Sequence, residues 1–343
     1  MVDYASTGAK VINRVPVDDG FSFPAEWQTH ERSLMQFLPG QNWERNKLIG
    51  ARKEWINVAN KISEFEPLTL AINPSDWSAV EKVLSSQIDL VEFPLNDGWA
   101  RDSGPMILTN ELGDRCVAGF EFNGWGEKFP PHDDDALVKA HFAKHMGMDI
   151  YPADMVLEGG AVAFDGEGTL ITTEHCLLNK NRNSGKSRAD IETVLKNWLG
   201  VTKIIWLPNG LVPDPITDGH IDGIVAFAAP GVVLVHTTND KNDANYAITH
   251  KAKQILQQSY DAKGRKLEVI EIPLTSFDVV HMNFYVCNGA VLVPVAGKAS
   301  EDDIPLGIIR DAFPDREVVP IKGTYIAKGG GGIHCITQQV PGV

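Results

Sequence analysis

Apolar residues recur along this chain in helical and strand-like rhythms that alternate. Between residues 44 and 65, Leu48, Ile49, Trp55, Ile56, Ala59 and Ile62 fall at helical spacing and predict an amphipathic helix. Residues 67–72 read as a strand, and Asn73-Pro74-Ser75-Asp76 supplies start signals for a second helix running through Leu84. Residues 1–44, broken by Pro16, Pro24 and Pro39, predict loop. From there one unit recurs: a helix, a short strand ending at or near a proline, then a loop of polar residues. Strands are expected at 88–94, 149–152, 203–208, 267–273 and 316–320. Helices precede the last four at 134–146, 187–199, 242–259 and 302–313. The polar loops lead into further strands at 105–109, 169–173, 231–237 and 289–294. Five such units predict an α/β fold closed on itself with pseudo-fivefold symmetry, one domain over residues 1–343. Ordinary helix–strand alternation is the plainer alternative.

Composition narrows the class of partner. The 343 residues carry a net charge of −14, which disfavours nucleic acid or an anionic membrane surface and favours a cationic ligand. No apolar run reaches the length of a membrane span, and the first residues lack the pattern of a signal peptide. Cys116, Cys176, Cys287 and Cys335 are widely spaced, as free thiols in a reducing compartment would be. A cytoplasmic location is the expectation.

The polar loops hold the chemistry. Trp99-Ala100-Arg101-Asp102 follows Pro94, Glu158-Gly159-Gly160 follows Pro152, and Thr217-Asp218-Gly219-His220-Ile221-Asp222 follows Pro208. His281-Met282-Asn283 follows Pro273, and Pro320 precedes Gly329-Gly330-Gly331-Gly332-Ile333-His334-Cys335. A closed five-unit ring would bring these loops together on its axis. The glycine run permits positive φ angles and close approach of other groups to the backbone, a suitable cradle for a nucleophilic Cys335. A thiol of ordinary pKa ~8.5 needs a cation or base beside it, and His220 can supply one. Two carboxylates, Asp102 and Asp222, would by themselves oppose thiolate formation. They make sense around a planar, fork-shaped cation such as a guanidinium. Each contact is worth about 4 kcal/mol of Coulomb attraction at 4 Å and an effective dielectric of 20, before desolvation.

Taken in order, these motifs resemble the agmatine deiminase and bacterial-type peptidylarginine deiminase family, within the guanidino-group-modifying superfamily. The matching stretches also include Phe122-Asn123-Gly124-Trp125-Gly126, Asp165-Gly166-Glu167-Gly168-Thr169, the segment from Cys176 to Asn183, and Gln338-Gln339. The resemblance implies a five-bladed, pentein-like α/β propeller with its active site on the pseudo-fivefold axis. It implies that Cys335 attacks the guanidinium carbon and that His220 acts as acid and then base. Asp102 and Asp222 would bind guanidinium nitrogens, with Glu158 supporting His220 or the substrate. Trp99, Trp125, His281 and Gly330 are assigned to substrate binding, no metal or organic cofactor is implied, and the resemblance alone suggests a homo-oligomer.

The chain departs from the family pattern at Gly332, at Val279–Met282, at Gly124 and Glu127, and at Ala161–Ala163. These changes are expected around the substrate's tail, with His281 or Glu127 recognising it. Agmatine is the leading substrate and another small guanidino compound, such as an arginine derivative, the alternative. Amidino transfer to an amine and non-catalytic guanidino binding are the rival functions. His141 and His145 read as a solvated helix face and Asp133-Asp134-Asp135 as a helix start.

Overall fold

The computed structural model describes residues 2–40, 43–276 and 278–343. Its strands form five small sheets. Strand β1 (His30–Gln36) runs parallel to β2 (Leu68–Ile72), which runs parallel to β3 (Ile88–Glu92). Each of the next four sheets repeats one pattern, an antiparallel pair followed by a parallel one. They comprise β4 (Met106–Thr109), β5 (Arg115–Glu121) and β6 (Asp149–Val156), then β7 (Val162–Phe164), β8 (Thr169–Thr173) and β9 (Lys203–Leu207). The third set is β10 (Val225–Ala229), β11 (Val232–Thr237) and β12 (Glu268–Pro273). The fourth is β13 (Tyr285–Cys287), β14 (Ala290–Val295) and β15 (Glu317–Lys322). Strand β16 (Thr337–Pro341) pairs antiparallel with β1 and gives the first sheet the same pattern. The C-terminal segment thus completes the N-terminal blade of a five-bladed α/β propeller.

Each parallel pair needs a crossover, and in every pair except β2–β3, which short turns join, that crossover includes one long helix. These are α1 (Arg45–Ile62), α2 (Asp133–His145), α3 (Arg188–Leu199), α4 (Tyr246–Gln258) and α5 (Ala299–Ala312). Middle strands covered on both faces read as continuous buried runs: every residue of β2, β8 and β14 is buried.

Three sequence expectations need correction. The segment 1–44 contains β1, whose polar start conceals it: His30 bonds Glu66, and Arg32 reaches Asp89. Its partner β16 lies about 300 residues away, so no local pattern announces the pairing. The helix expected from 73 to 84 shrinks to two short turns, Pro74–Asp76 and Trp77–Val80. Asn60 stops it by accepting the Ser85 N–H and donating to the Val83 carbonyl. Pro152 and Pro320 lie within β6 and β15 rather than ending them, which edge strands tolerate.

Candidate active site

Five connections between blades meet at the axis, each a short turn just before a blade's first strand. Ala100–Ser103 carries Asp102 and Gly159–Ala161 follows Glu158. Ile221–Gly223 presents Asp222 beside His220, and His334–Ile336 presents Cys335. Asn283 precedes β13 and takes the Cys335 backbone N–H on its Oδ1 at 3.2 Å. The local repeat of the sequence is therefore what gathers residues more than 230 positions apart.

The groups are tightly packed. Cys335 Sγ donates to Asp222 Oδ2 at 3.5 Å. The His220 ring faces Asp102 Oδ1 at 3.9 Å through Nδ1 and Glu158 Oε2 at 3.8 Å through Nε2, and neither ring nitrogen has a hydrogen-bond partner. Gly160 closes the floor. Its N–H donates to Asp102 Oδ1 at 3.0 Å, and a Cβ there would meet His220 at 2.6 Å and both aspartates at 2.9 Å. Trp125 donates from its indole to Asp102 Oδ2 at 2.8 Å. Trp99 and Trp125 line the adjoining cavity with Asp102, Gly330 and Cys335. So does Asp97, whose carboxyl burial pushes up to about 6 against the Gly98 amide and the Trp43 indole.

Of the glycine run, only Gly330 needs a positive φ, at +100°. The others are demanded by close approach: Trp43 lies on Gly329, Trp99 and Cys335 on Gly331, and Asn283 on Gly332.

Electrostatics set the protonation states. Burial, then the Asp222 and Asp102 carboxylates, hold the Cys335 thiol well above its ordinary range. Burial opposes charge on His220, but Asp102, helped by Cys176 and Glu158, draws its pKa well upward. Burial likewise raises Asp102, with Asp222 and Glu158 adding repulsion against the attraction of His220. Glu158 is lowered despite burial, because Arg182 Nε donates to it at 2.5 Å and His220 lies beside it.

Three supporting groups went unread in the sequence. Arg101 does not pair with its neighbour Asp102. It reaches Gln338 at 2.6 Å, Gln339 at 2.9 Å and Glu26 at 3.3 Å, tying the site to β16. His334 spans Asp222 at 3.0 Å and Glu26 at 2.9 Å. Burial and Arg101 oppose charge on His334, yet Glu26 and Asp222 raise its pKa. Arg182 joins Glu158 to Asp218. The Gln338-Gln339 pair and the adjacency of His334 to Cys335 were the only local hints.

His281 requires a correction as a substrate contact. It is 1% exposed, bonds Asp302 at 2.8 Å and lies outside both cavities that reach Cys335. Its neighbours Val280 and Asn283 face the second cavity instead. Glu127 is exposed and pairs with His132. Among the described residues, one group could hold a metal: Glu158, Cys176 and His220 bring donor atoms within 4.8 Å of one another. No helix among them is long and apolar enough to cross a membrane.

Known proteins share this architecture. The chain is 38% identical to the agmatine deiminase of Pseudomonas aeruginosa, covering 95% of this chain and 97% of that one. It is 36% identical to the agmatine deiminase of Medicago truncatula, covering 97% and 99%. The solved agmatine deiminase of Enterococcus faecalis superposes with a TM-score of 0.93 at 32% identity, covering 97% and 99%. The model of the Porphyromonas-type peptidyl-arginine deiminases matches residues 22–341, from before β1 to the end of the strand that closes the ring, and the chain belongs to that family.

Proposed function

We propose that this protein is a cysteine hydrolase that deiminates agmatine, releasing ammonia and N-carbamoylputrescine. One observation carries the reading: a thiol and two aspartates share a buried pit with a histidine held between carboxylates, beneath an aromatic cavity. That arrangement suits a guanidinium, which each carboxylate can grip through paired N–H donors. The names of its relatives support agmatine as the guanidino compound.

Cys335, Asp102, Asp222, His220 and Glu158 divide the work in this proposal. In the free protein the aspartates keep the thiol neutral. A bound guanidinium cancels that field, so substrate binding itself favours the thiolate, whose proton leaves to solvent. Sulfur attacks the guanidinium carbon, and the charged His220 protonates the departing nitrogen. The now neutral His220 takes a proton from water as it attacks the amidino carbon, and collapse of that adduct breaks the C–S bond. Glu158, fixed by Arg182, holds His220 in line. Trp99, Trp125 and Gly330 shape the approach, and all five blades serve as one catalytic domain.

The charge of −14 supports a cationic small molecule rather than nucleic acid as partner. The four free thiols support a cytoplasmic site of action. The family resemblance supports a homo-oligomer, which sedimentation would measure.

Ammonia release across agmatine, arginine, 4-guanidinobutyrate, methylated arginine and an arginine-ended peptide tests the reading, with Cys335→Ala as control. Preferred turnover of agmatine that vanishes in the variant is expected. Preference for another compound would overturn the substrate, and equal ammonia release from both proteins would overturn the mechanism.

A further inference from the structure

Cys335 is reached from two sides. On one lies the cavity of about 250 Å³ that contains Trp43, Asp97, Trp99, Asp102 and Trp125. On the other lies a second cavity, of about 270 Å³, walled by Leu211, Val212, Leu274, Val279, Val280 and Ala327. Ile216, Thr217 and Gly330 line both. Ile216 lies so closely on the Gly330 backbone that an added Cβ would meet its Cδ1 at 2.2 Å. This contact forms the partition between them.

The partition also sorts the chemistry. Of the two, Asp102 lines the first, whereas His220, Asp222 and Asn283 line the second; Asp222 also borders a smaller cavity beside Glu26 and His334. We propose that the first cavity admits the guanidino substrate and the second carries ammonia out and the hydrolytic water in. This rests on the deiminase reading above. The C–N bond that breaks sends its electron pair to the leaving nitrogen, which takes a proton from His220 and departs as ammonia. Water then forms the new C–O bond and gives one proton to His220; the C–S bond breaks with its electron pair returning to sulfur, and the second water proton leaves the ureido oxygen, restoring the thiol beside a neutral ureido product. Both small molecules must therefore pass the face of His220, and of these two cavities the second opens there.

Its size and wall suit that traffic. A volume of about 270 Å³ has room for several waters at once. The wall is mixed, with Asp214, Asn245 and Ser276 among its apolar residues, and passes small molecules such as ammonia and water.

Filling each cavity in turn distinguishes the routes. Ala327→Phe and Val280→Trp obstruct the second cavity, and Lys47→Trp obstructs the first, with folding of each checked by thermal melting. KM and kcat for agmatine are measured, and acid-quenched protein is weighed to detect the amidino adduct on Cys335. Either second-cavity variant should lower kcat about tenfold with little change in KM, and the adduct should accumulate. Lys47→Trp should raise KM about tenfold without adduct. A raised KM in the second-cavity variants would place the substrate's tail there, and unchanged constants in both would leave that cavity without a role; either result overturns the proposal. A wild-type protein that forms no adduct and no ammonia would instead overturn the deiminase reading.

Discussion

Asp222 Oδ2 accepts from both Cys335 Sγ, at 3.5 Å, and His334 Nδ1, at 3.0 Å. One carboxylate oxygen thus joins the proposed nucleophile to a supporting ion pair. Burial opposes ionisation of Asp222, but His334 and His220 hold its pKa below the usual range, so it stays negative and keeps the neighbouring thiol protonated. Asp222→Asn removes that charge. The alkylation of Cys335 by iodoacetamide in the substrate-free protein should rise with pH in both proteins, with the variant's rise displaced to lower pH. Turnover of agmatine should nonetheless fall by about 100-fold or more, because a guanidinium partner is gone. An alkylation profile that does not move would show that Asp222 does not govern the thiol.

Gly160 is crowded by His220, Asp102 and Asp222 at once. A methyl group there meets His220 Nδ1 at 2.6 Å, so Gly160→Ala must displace the imidazole or the aspartates. A shift of about 1 Å in a reacting group costs about 100-fold in rate. The prediction is a loss of that order in kcat with the fold retained, read by kinetics alongside circular dichroism. Full activity would mean that the pit is far softer than its packing implies.

Trp125 orients Asp102 through a single indole N–H at 2.8 Å. Trp125→Phe keeps the aromatic wall and deletes the donor. A hydrogen bond to a charged group is worth about 1.5–3 kcal/mol, so kcat/KM should fall by about 10- to 100-fold. Trp125→Ala should fall further, since the wall is lost as well. Equal effects of the two substitutions would assign Trp125 to packing alone.

Glu26 supplies a pH signature in stability rather than in rate. Burial raises its pKa, but His334 and Arg101 together bring it down from an ordinary 4.5 to about 2. A carboxyl depressed on folding stabilises the native state above the unfolded-state value, and that contribution fades as pH falls from about 4.5 toward 2. The drop corresponds to about 3 kcal/mol at neutral pH. Glu26→Gln should therefore lower unfolding free energy by up to about that amount at pH 7 and by roughly half as much near pH 3. Urea denaturation at the two pH values measures it. A deficit that grows in acid would contradict the ion-pair account.

How much of this was legible beforehand follows from what is local. The helices at 44–65, 134–146, 187–199, 242–259 and 302–313 announced themselves through spacing, because a helix closes its hydrogen bonds within four residues. Asp102, Glu158, His220, Asp222 and Cys335 stood out because the repeat put each in an equivalent loop, and the ring brought those loops together. Strand β1 did not stand out: its polar opening is explained only by β16 and by Glu66. Arg101 invited pairing with Asp102, yet adjacent residues on a turn point apart, and the buried carboxamides of Gln338 and Gln339 claimed it. His281 looked like a site residue by position, but Asp302 holds it inside a blade.

The sequence by itself determined the repeating unit and singled out Cys335, His220, Asp102, Asp222 and Glu158 as candidates, since these depend on residue type and short-range order. Only the tertiary structure decided which groups share a proton field, which cavity holds His220, and that Glu26, His334 and Arg182 brace the site. Those relations depend on distances between segments far apart in the chain, and such distances exist only once the ring has closed.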